Sequence, residues 1–322
     1  MGHNINANIL HLQRLSTEDG PGIRTTIFFK GCPLSCIWCH NPESIETSYQ
    51  IQWHPTKCIT CKTCISICPE NAISLSYQNE IVINRISCNM CGECTNACPT
   101  NAIEILGKQV DLEELSRELC KDITFYEHSK GGITVSGGEP TLQIDFTVAL
   151  FQNMKAKGIH TALDTCGYCT QDSLKELLPY TDLIMYDIKT IDPDDHKNFT
   201  GKDNTRILQN ILFLRDELTS HHEDVVLWIR TPLIPGYTAS KINIQSIGQF
   251  ISKELTEVVT HWELCAFNNL CREKYERLGM TWSLATETLL SQSDLEQFDS
   301  YAKESGVNPD IVFTTGATRI YV

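Results

Sequence analysis

Cys32, Cys36 and Cys39 stand in the stretch Gly31-Cys32-Pro33-Leu34-Ser35-Cys36-Ile37-Trp38-Cys39-His40-Asn41-Pro42, spaced C-x3-C-x2-C. Spacings this short let one loop wrap its thiolates around a single face of an iron–sulfur cube. A 4Fe–4S cluster normally takes four thiolates. This loop supplies three, so one iron is left open, and an open iron binds something that is not protein. The loop hangs from Ile23 to Lys30, where Ile23, Thr25, Ile27 and Phe29 alternate with Arg24, Thr26, Phe28 and Lys30, the pattern of a strand. In parallel α/β folds the end of such a strand is where active sites lie.

A second set of cysteines is duplicated. Cys58-x2-Cys61-x2-Cys64-x3-Cys68-Pro69 recurs as Cys88-x2-Cys91-x2-Cys94-x3-Cys98-Pro99, and Glu70-Asn71-Ala72-Ile73 recurs as Thr100-Asn101-Ala102-Ile103. This is the bacterial ferredoxin unit repeated, in which the fourth cysteine of each run ligates the other cluster. One cluster is therefore assigned to Cys58, Cys61, Cys64 and Cys98, and the other to Cys88, Cys91, Cys94 and Cys68. A pair of zinc knuckles would not need the x3-Cys-Pro crossover. Of the 16 cysteines, eleven fall between Cys32 and Cys98, a grouping that favours metal over disulfides in a chain of this size. Cys120, Cys166, Cys169, Cys265 and Cys271 read as small buried or incidental residues.

With Trp38 in the aromatic place of CxxxCxΦC, the chain resembles the radical S-adenosylmethionine (radical SAM) superfamily. Arg14-Leu15-Ser16-Thr17-Glu18-Asp19-Gly20-Pro21-Gly22-Ile23-Arg24 narrows the resemblance to the activating enzymes of glycyl radical enzymes, the group containing pyruvate formate-lyase activase. The resemblance implies that the open iron of the cluster on Cys32, Cys36 and Cys39 is chelated by the amine and carboxylate of SAM. One electron then splits SAM to a 5′-deoxyadenosyl radical, which takes a hydrogen atom from a glycine of a partner enzyme. Three 4Fe–4S clusters follow, one binding SAM and two auxiliary, together with reduced flavodoxin or ferredoxin as electron donor.

The same resemblance assigns the remaining site. Ser136-Gly137-Gly138-Glu139-Pro140 matches the motif that holds the SAM amine; Gly137 and Gly138 let backbone approach a ligand, and Glu139 can pair with an ammonium group. Asp164 and Lys189 are implied at the methionyl end. Asp164, Thr165, Met185 and Asp187 are implied as the site of a monovalent cation, and carboxylates clustered at one barrel mouth need such compensation. Arg230-Thr231-Pro232-Leu233-Ile234-Pro235-Gly236 resembles the segment lining the adenosine. Where pyruvate formate-lyase activase has Pro-Tyr-His, with a histidine touching SAM, this chain has Ala266-Phe267-Asn268-Asn269. Asn268 can hydrogen-bond there but cannot take up a proton.

The elements that must position these residues alternate. Residues 1–22 read as a polar lead-in ending in a turn. After the first strand and the cysteine-rich stretch, Asp111 with Glu114 opens a helix carrying Leu112, Leu115, Leu119 and Ile123 on one face. Ile133–Val135 is a strand, and helices are expected at 142–157, 172–178, 204–219 and 240–254. Between them lie strands at 159–164, 182–188, 225–230 and 260–266. Ser293 with Glu296 caps a late helix, and Ile311 to Val322 is a terminal strand or hairpin. Six strands each leading to a helix argue for a parallel, barrel-like sheet. The resemblance implies an α/β fold, the partial (β/α)6 TIM-like barrel of the radical SAM type. Residues 1–51 and 107–322 would form it, with 52–106 as an inserted bacterial-ferredoxin-like domain.

A net charge of −14 argues against nucleic acid or an anionic membrane as partner. No apolar run reaches the length of a membrane span, and Met1 to Asn6 carry neither a secretory pattern nor a myristoylation site, so a cytoplasmic protein is expected. Two other functions fit fewer of the motifs. One is a radical SAM enzyme acting on another peptide or a small molecule; the other is a simple electron carrier.

Overall fold

Residues 5–316 and 318 are described by the computed structural model. Strands, in chain order, are β1 (Asn6–Ser16), β2 (Arg24–Phe29), β3 (Gln50–Trp53), β4 (Ile73–Leu75), β5 (Ile81–Ile83), β6 (Ile103–Leu106) and β7 (Lys108–Asp111). They continue as β8 (Gly132–Gly137), β9 (His160–Thr165), β10 (Leu183–Asp187), β11 (Val226–Leu233), β12 (Val259–Ala266) and β13 (Val312–Thr315). Nine of them form one sheet in the order β13-β12-β11-β10-β9-β8-β2-β1-β7. From β2 to β13 every neighbouring pair is parallel.

Parallel strands are buried on both faces, and β2 shows it: all six of its residues are buried. Its outward residues Ile27 and Phe29 join the main apolar core, whereas Arg24 and Thr26 point into the sheet's concave interior. Helices seal the outer face with an i, i+3, i+4, i+7 stripe. Ile144–Lys155 buries Phe146, Leu150, Phe151 and Met154; Thr205–Ser220 buries Ile207, Ile211, Leu214 and Leu218; Lys241–Glu254 buries Ile244, Ile247 and Ile251.

Alternation of strand and helix after residue 130 is as read from the sequence, with bounds shifted by a few residues and two further short helices, Pro193–Thr200 and Arg272–Arg277, that the reading did not include. Four differences stand out. The polar lead-in contains β1, which pairs antiparallel with β2 and with β7; as a strand buried mainly at one end, it shows little apolar alternation. The parallel set numbers seven strands rather than six, because β13 pairs with β12; the remainder of the expected terminal strand, 317 and 319–322, lies outside the described residues. The late helix Gln292–Lys303 is capped by Ser291 with Asp294, not by Ser293 with Glu296. Asp111 caps Leu112–Leu119 through the Glu113 and Glu114 amides, as expected, but that helix stops before Ile123.

Between β2 and β7 the chain leaves the sheet. β3 pairs antiparallel with β6, and β4 with β5, around a separate small core that includes Ile51, Trp53, Ile73, Ile81 and Ile103. The duplication is visible in the backbone. Thr60 and Met90, Lys62 and Gly92, and Asn71 and Asn101 all take positive φ at matched positions.

β8 lies so close to β2 that Gly131, just before it, has no room for a side chain: a Cβ there would stand 1.9 Å from the Ile23 carbonyl oxygen. Gly131→Ala is expected to cost about 1–3 kcal/mol, read as a lower urea midpoint with an unchanged m-value.

Candidate functional site

The C-terminal ends of six parallel strands open on one cavity of about 280 Å³. The β2 loop contributes Cys32, Cys36, Trp38 and Cys39, and β8 ends in Ser136, Gly137 and Gly138. β9 and β10 bring Asp164, Thr165, Cys166, Asp187 and Lys189; β11 and β12 bring Arg230, Pro232, Cys265 and Ala266, followed by Phe267. The three cysteines of the CxxxCxxC loop thus face the strand-end acids and bases that the sequence singled out.

Glu139 fastens the cysteine loop to the sheet. Its amide donates to the Gly31 carbonyl at 2.7 Å. Its carboxylate accepts from the Thr141 amide and hydroxyl (3.1 and 2.7 Å), the Thr165 hydroxyl (2.8 Å) and the Cys166 amide (2.8 Å). The residue is 0 % exposed and lies behind the cavity lining, with its carboxylate held by these donors. Gly137 and Gly138 do line it. A Cβ on Gly138 would meet the Gly31 oxygen at 2.0 Å, which is why this close approach requires glycine.

Charge on the cavity wall is largely paired. Lys189 binds Asp187, and Arg230 binds Glu263 at 2.7 Å and stands 3.6 Å from Asp164. Asp164 also accepts from the Ser136 hydroxyl at 2.6 Å. Burial, with Asp187 nearby, nevertheless raises Asp164 to about 6, against the pull of Arg230. Burial works to lower Lys189, but Asp187 and the neighbouring thiols outweigh it and hold the ammonium charged. The compensation that the sequence reading sought from a metal cation is thus supplied in part by two side chains. Of the implied cation set, Asp164, Thr165 and Asp187 reach the cavity. Met185 is 1 % exposed and lies beneath, among Ala162, Leu183 and Trp228. Asn268 likewise stands apart from the cavity lining: its carbonyl meets His40 Nε2 at 3.0 Å and its side chain accepts from the Leu270 amide.

A strap from 267 to 285 closes over the cysteine loop. Tyr275 donates to the Cys39 carbonyl (2.9 Å), Trp282 to the Ile37 carbonyl (2.8 Å), and Lys274 to Asn41 (2.7 Å) with an ion pair to Glu43. Trp38 packs in the apolar cluster that Phe267, Tyr275 and Trp282 form. Sequence reasoning missed this strap, as well as Cys166 and Cys265 on the cavity wall. Cys166 sits directly after the Asp164-Thr165 pair, which was the available signal.

The thiols fit iron–sulfur clusters. Desolvation pushes Cys36 up to about 12 and Cys39 higher, with the other thiols of the loop adding to it; coordination to a metal reverses this and deprotonates a thiol outright. In the insert, Cys64 is raised by burial and by Cys58, Cys61 and Cys98, and Cys94 by burial and by Cys88, Cys68 and Cys91. Matched amides of Ala72 and Ala102 point at Cys68 and Cys98 sulfur at 3.3 and 3.2 Å. Among the described residues no three Cys, His, Asp or Glu side chains converge on a single ion.

Residues 85–243 match the model of the radical SAM superfamily, 57–107 that of a 4Fe-4S dicluster domain, and 18–73 that of a 4Fe-4S single cluster domain. The trans-4-hydroxy-L-proline dehydratase activating enzyme of Clostridioides difficile is 39 % identical over 310 residues, covering 95 % of this chain and 99 % of that one. The (2S)-3-sulfopropanediol dehydratase activating enzyme of Klebsiella oxytoca is 38 % identical over 307 residues, covering 93 % and 95 %. The benzylsuccinate synthase activating enzyme of Thauera aromatica is 36 % identical over 280 residues, covering 85 % and 82 %. A three-cysteine loop over the mouth of a parallel sheet, with a dicluster insert, is radical SAM architecture. Within that superfamily the chain belongs to the activating enzymes of glycyl radical enzymes. No helix among the described residues is long and apolar enough to cross a membrane.

Glu139→Gln would set an amide donor against the donors of Thr165 and Cys166. The expected cost is about 1–3 kcal/mol, with weaker SAM binding, measured by urea denaturation and by equilibrium dialysis of SAM.

Proposed function

We propose that this enzyme activates a partner glycyl radical enzyme by taking a hydrogen atom from one glycine of that partner. The observation that carries the reading is that Cys32, Cys36 and Cys39 share one cavity with Asp164, Asp187, Lys189 and Arg230. When bound, the cluster on these cysteines supplies one electron to the sulfonium of SAM, whose carbon–sulfur bond breaks to give methionine and the 5′-deoxyadenosyl radical.

The chain's own part is to bind, orient and shield. Gly137 and Gly138 offer backbone to the SAM amine; Lys189 offers its ammonium to a carboxylate. Arg230 and Pro232 line the adenosine side, and Trp38 and Phe267 wall the cysteine loop. Asp164, Thr165 and Asp187, with the Met185 backbone beneath, form the place for a monovalent cation. Residues 1–51 and 107–322 act as the barrel and 52–106 as the insert. The insert carries two further 4Fe–4S clusters, one on Cys58, Cys61, Cys64 and Cys98, the other on Cys88, Cys91, Cys94 and Cys68.

Those two clusters relay electrons from reduced flavodoxin or ferredoxin, in a cytoplasmic setting. Support comes from a hydrogen-bonded run between insert and site. Arg85, three residues before Cys88, donates to the Leu278 carbonyl at 2.6 Å. The Leu278 amide bonds to Tyr275, whose hydroxyl reaches the Cys39 carbonyl. Relatives 36–39 % identical are named for partners as different as a hydroxyproline dehydratase and benzylsuccinate synthase, so the pairing is decided by co-incubation.

Anaerobic incubation with SAM, reductant and a candidate partner should give a glycyl radical signal by electron paramagnetic resonance (EPR), together with 5′-deoxyadenosine. Cys36→Ala should abolish both. A protein with loaded clusters that makes no 5′-deoxyadenosine under dithionite would refute the reading. Cys88→Ala should block reduction of the site cluster by flavodoxin; normal reduction with poor partner activation would instead assign the insert to docking.

A further inference from the structure

Lys30 has no part in the chemistry above, yet its ammonium is buried: the residue is 1 % exposed. Among the described residues it makes no ion pair. It donates instead to two neutral oxygens, the Glu43 carbonyl at 2.7 Å and, at longer range, the Gln50 side-chain oxygen at 3.5 Å. The Glu43 carboxylate is turned to Lys274. Burying a charge in this way costs stability that an apolar chain would keep. What an apolar chain cannot supply is a directed bond to each of two segments. Glu43 lies on the way out of the cysteine loop. Gln50 pairs with Leu106 as the outermost rung of the β3–β6 ladder, through which the insert joins the barrel. Gly107, directly after that rung, closes over the lysine stem: a Cβ there would stand 2.5 Å from Lys30 Cδ and 2.9 Å from Tyr49 Cδ1. The stem starts from a fixed point, because the Lys30 amide donates to the Asn8 carbonyl and its carbonyl accepts from Gln143, both at 3.0 Å.

We infer that Lys30 is the pin that seats the insert against the cysteine loop, a positioning residue for the passage of electrons from the insert into the site. The inference rests on the reading of the insert as a relay. On its other side the insert is tied to the strap by the bond from Arg85 to Leu278. A body held at one point can turn about it, and Lys30 supplies a second point at the root of β3 and β6. Electron transfer falls steeply with distance, so a small turn of the insert slows the electron without altering the centre that receives it. That centre keeps its own supports. Backbone bonds from Gly31 to Ser44 at 2.7 Å and from Cys32 to Ile45 at 3.0 Å close the cysteine loop independently of the lysine ammonium, and Lys30 is not part of the cavity lining.

The test compares anaerobically prepared holoenzyme of the parent, Lys30→Met and Gly107→Ala by hydrogen–deuterium exchange and by reduction of the site cluster, read by EPR. Methionine matches the lysine stem and carries no donor; Gly107→Ala displaces the stem from outside and leaves the charge. In both variants the amides of 46–50 and 106–108 should exchange faster than in the parent, while those of the insert helices Thr63–Ile67 and Glu93–Asn96 keep their protection. Reduced flavodoxin should reduce the site cluster about tenfold more slowly. Dithionite should reduce it as in the parent, and the change in its EPR spectrum on adding SAM should persist. Parent-like exchange at both segments overturns the pin, as does faster exchange with an unchanged flavodoxin rate, or an equal slowing with dithionite. If Lys30→Met loads no insert clusters, Gly107→Ala decides by the same measurements. Failure of both to load them also overturns the pin, because the insert closes around a core of its own. Cys88→Ala separates this from the relay. Normal flavodoxin reduction there sinks the relay and the electron-positioning role with it, whereas blocked reduction there beside a parent-like rate in Lys30→Met sinks only the pin.

Discussion

A single carboxylate with no exposure to water joins the three parts of the catalytic mouth. Burying a charge is costly unless its hydrogen bonds are met, and Glu139 meets them with groups from its own turn and from the end of β9. Its amide, pointing the other way, holds the start of the cysteine loop. The loop after β2, the glycine turn after β8 and the Thr165-Cys166 turn after β9 therefore cannot shift independently. The rest of the site hangs from this junction: Gly138 must be glycine because the junction brings it against Gly31, and Asp164 is placed because Thr165 beside it is anchored.

The walls around that junction are electrostatically uneven. Asp164, Asp187 and Glu263 face Lys189 and Arg230, which leaves one acid more than bases in a desolvated space. Burial, with Asp187 adding to it, raises Asp164 there. A cationic guest relieves the imbalance, and the sulfonium of SAM and a monovalent cation both qualify.

What the sequence made legible was whatever rests on local spacing. The CxxxCxxC loop, the two ferredoxin runs, and the strand-end motifs at Gly137-Gly138, Asp164 and Lys189 are short patterns whose chemistry forces their spacing. The amphipathic helices were legible for the same reason: Ile207, Ile211, Leu214 and Leu218 must share a face. The rest depends on contacts between residues far apart. β1 looks polar because only its first half, at Ala7 and Ile9, is buried in the core while most of the rest is exposed or half-buried. Glu139 carries a motif that suggests ligand binding, but the donors that occupy it come from Thr165 and Cys166, on another strand. Asn268 sits where a relative has a ligand-touching histidine, yet its side chain turns back onto Leu270, and no spacing reveals such a turn. Tyr275 and Trp282 belong to no motif at all.

The strap has a bearing on how the protein is built. Trp282 and the Ile37 carbonyl it holds are separated by 245 positions, whereas each insert quartet closes within a stretch of about forty residues that leaves the ribosome early. Domains generally fold from the N-terminus during synthesis. On the proposed assignment the insert can fold and take up its clusters while most of the barrel is still being translated. The three-cysteine loop reaches its working shape only once the last third of the polypeptide has been made and has swung back across it. A truncated or stalled chain would then carry a finished insert beside an unfinished catalytic loop.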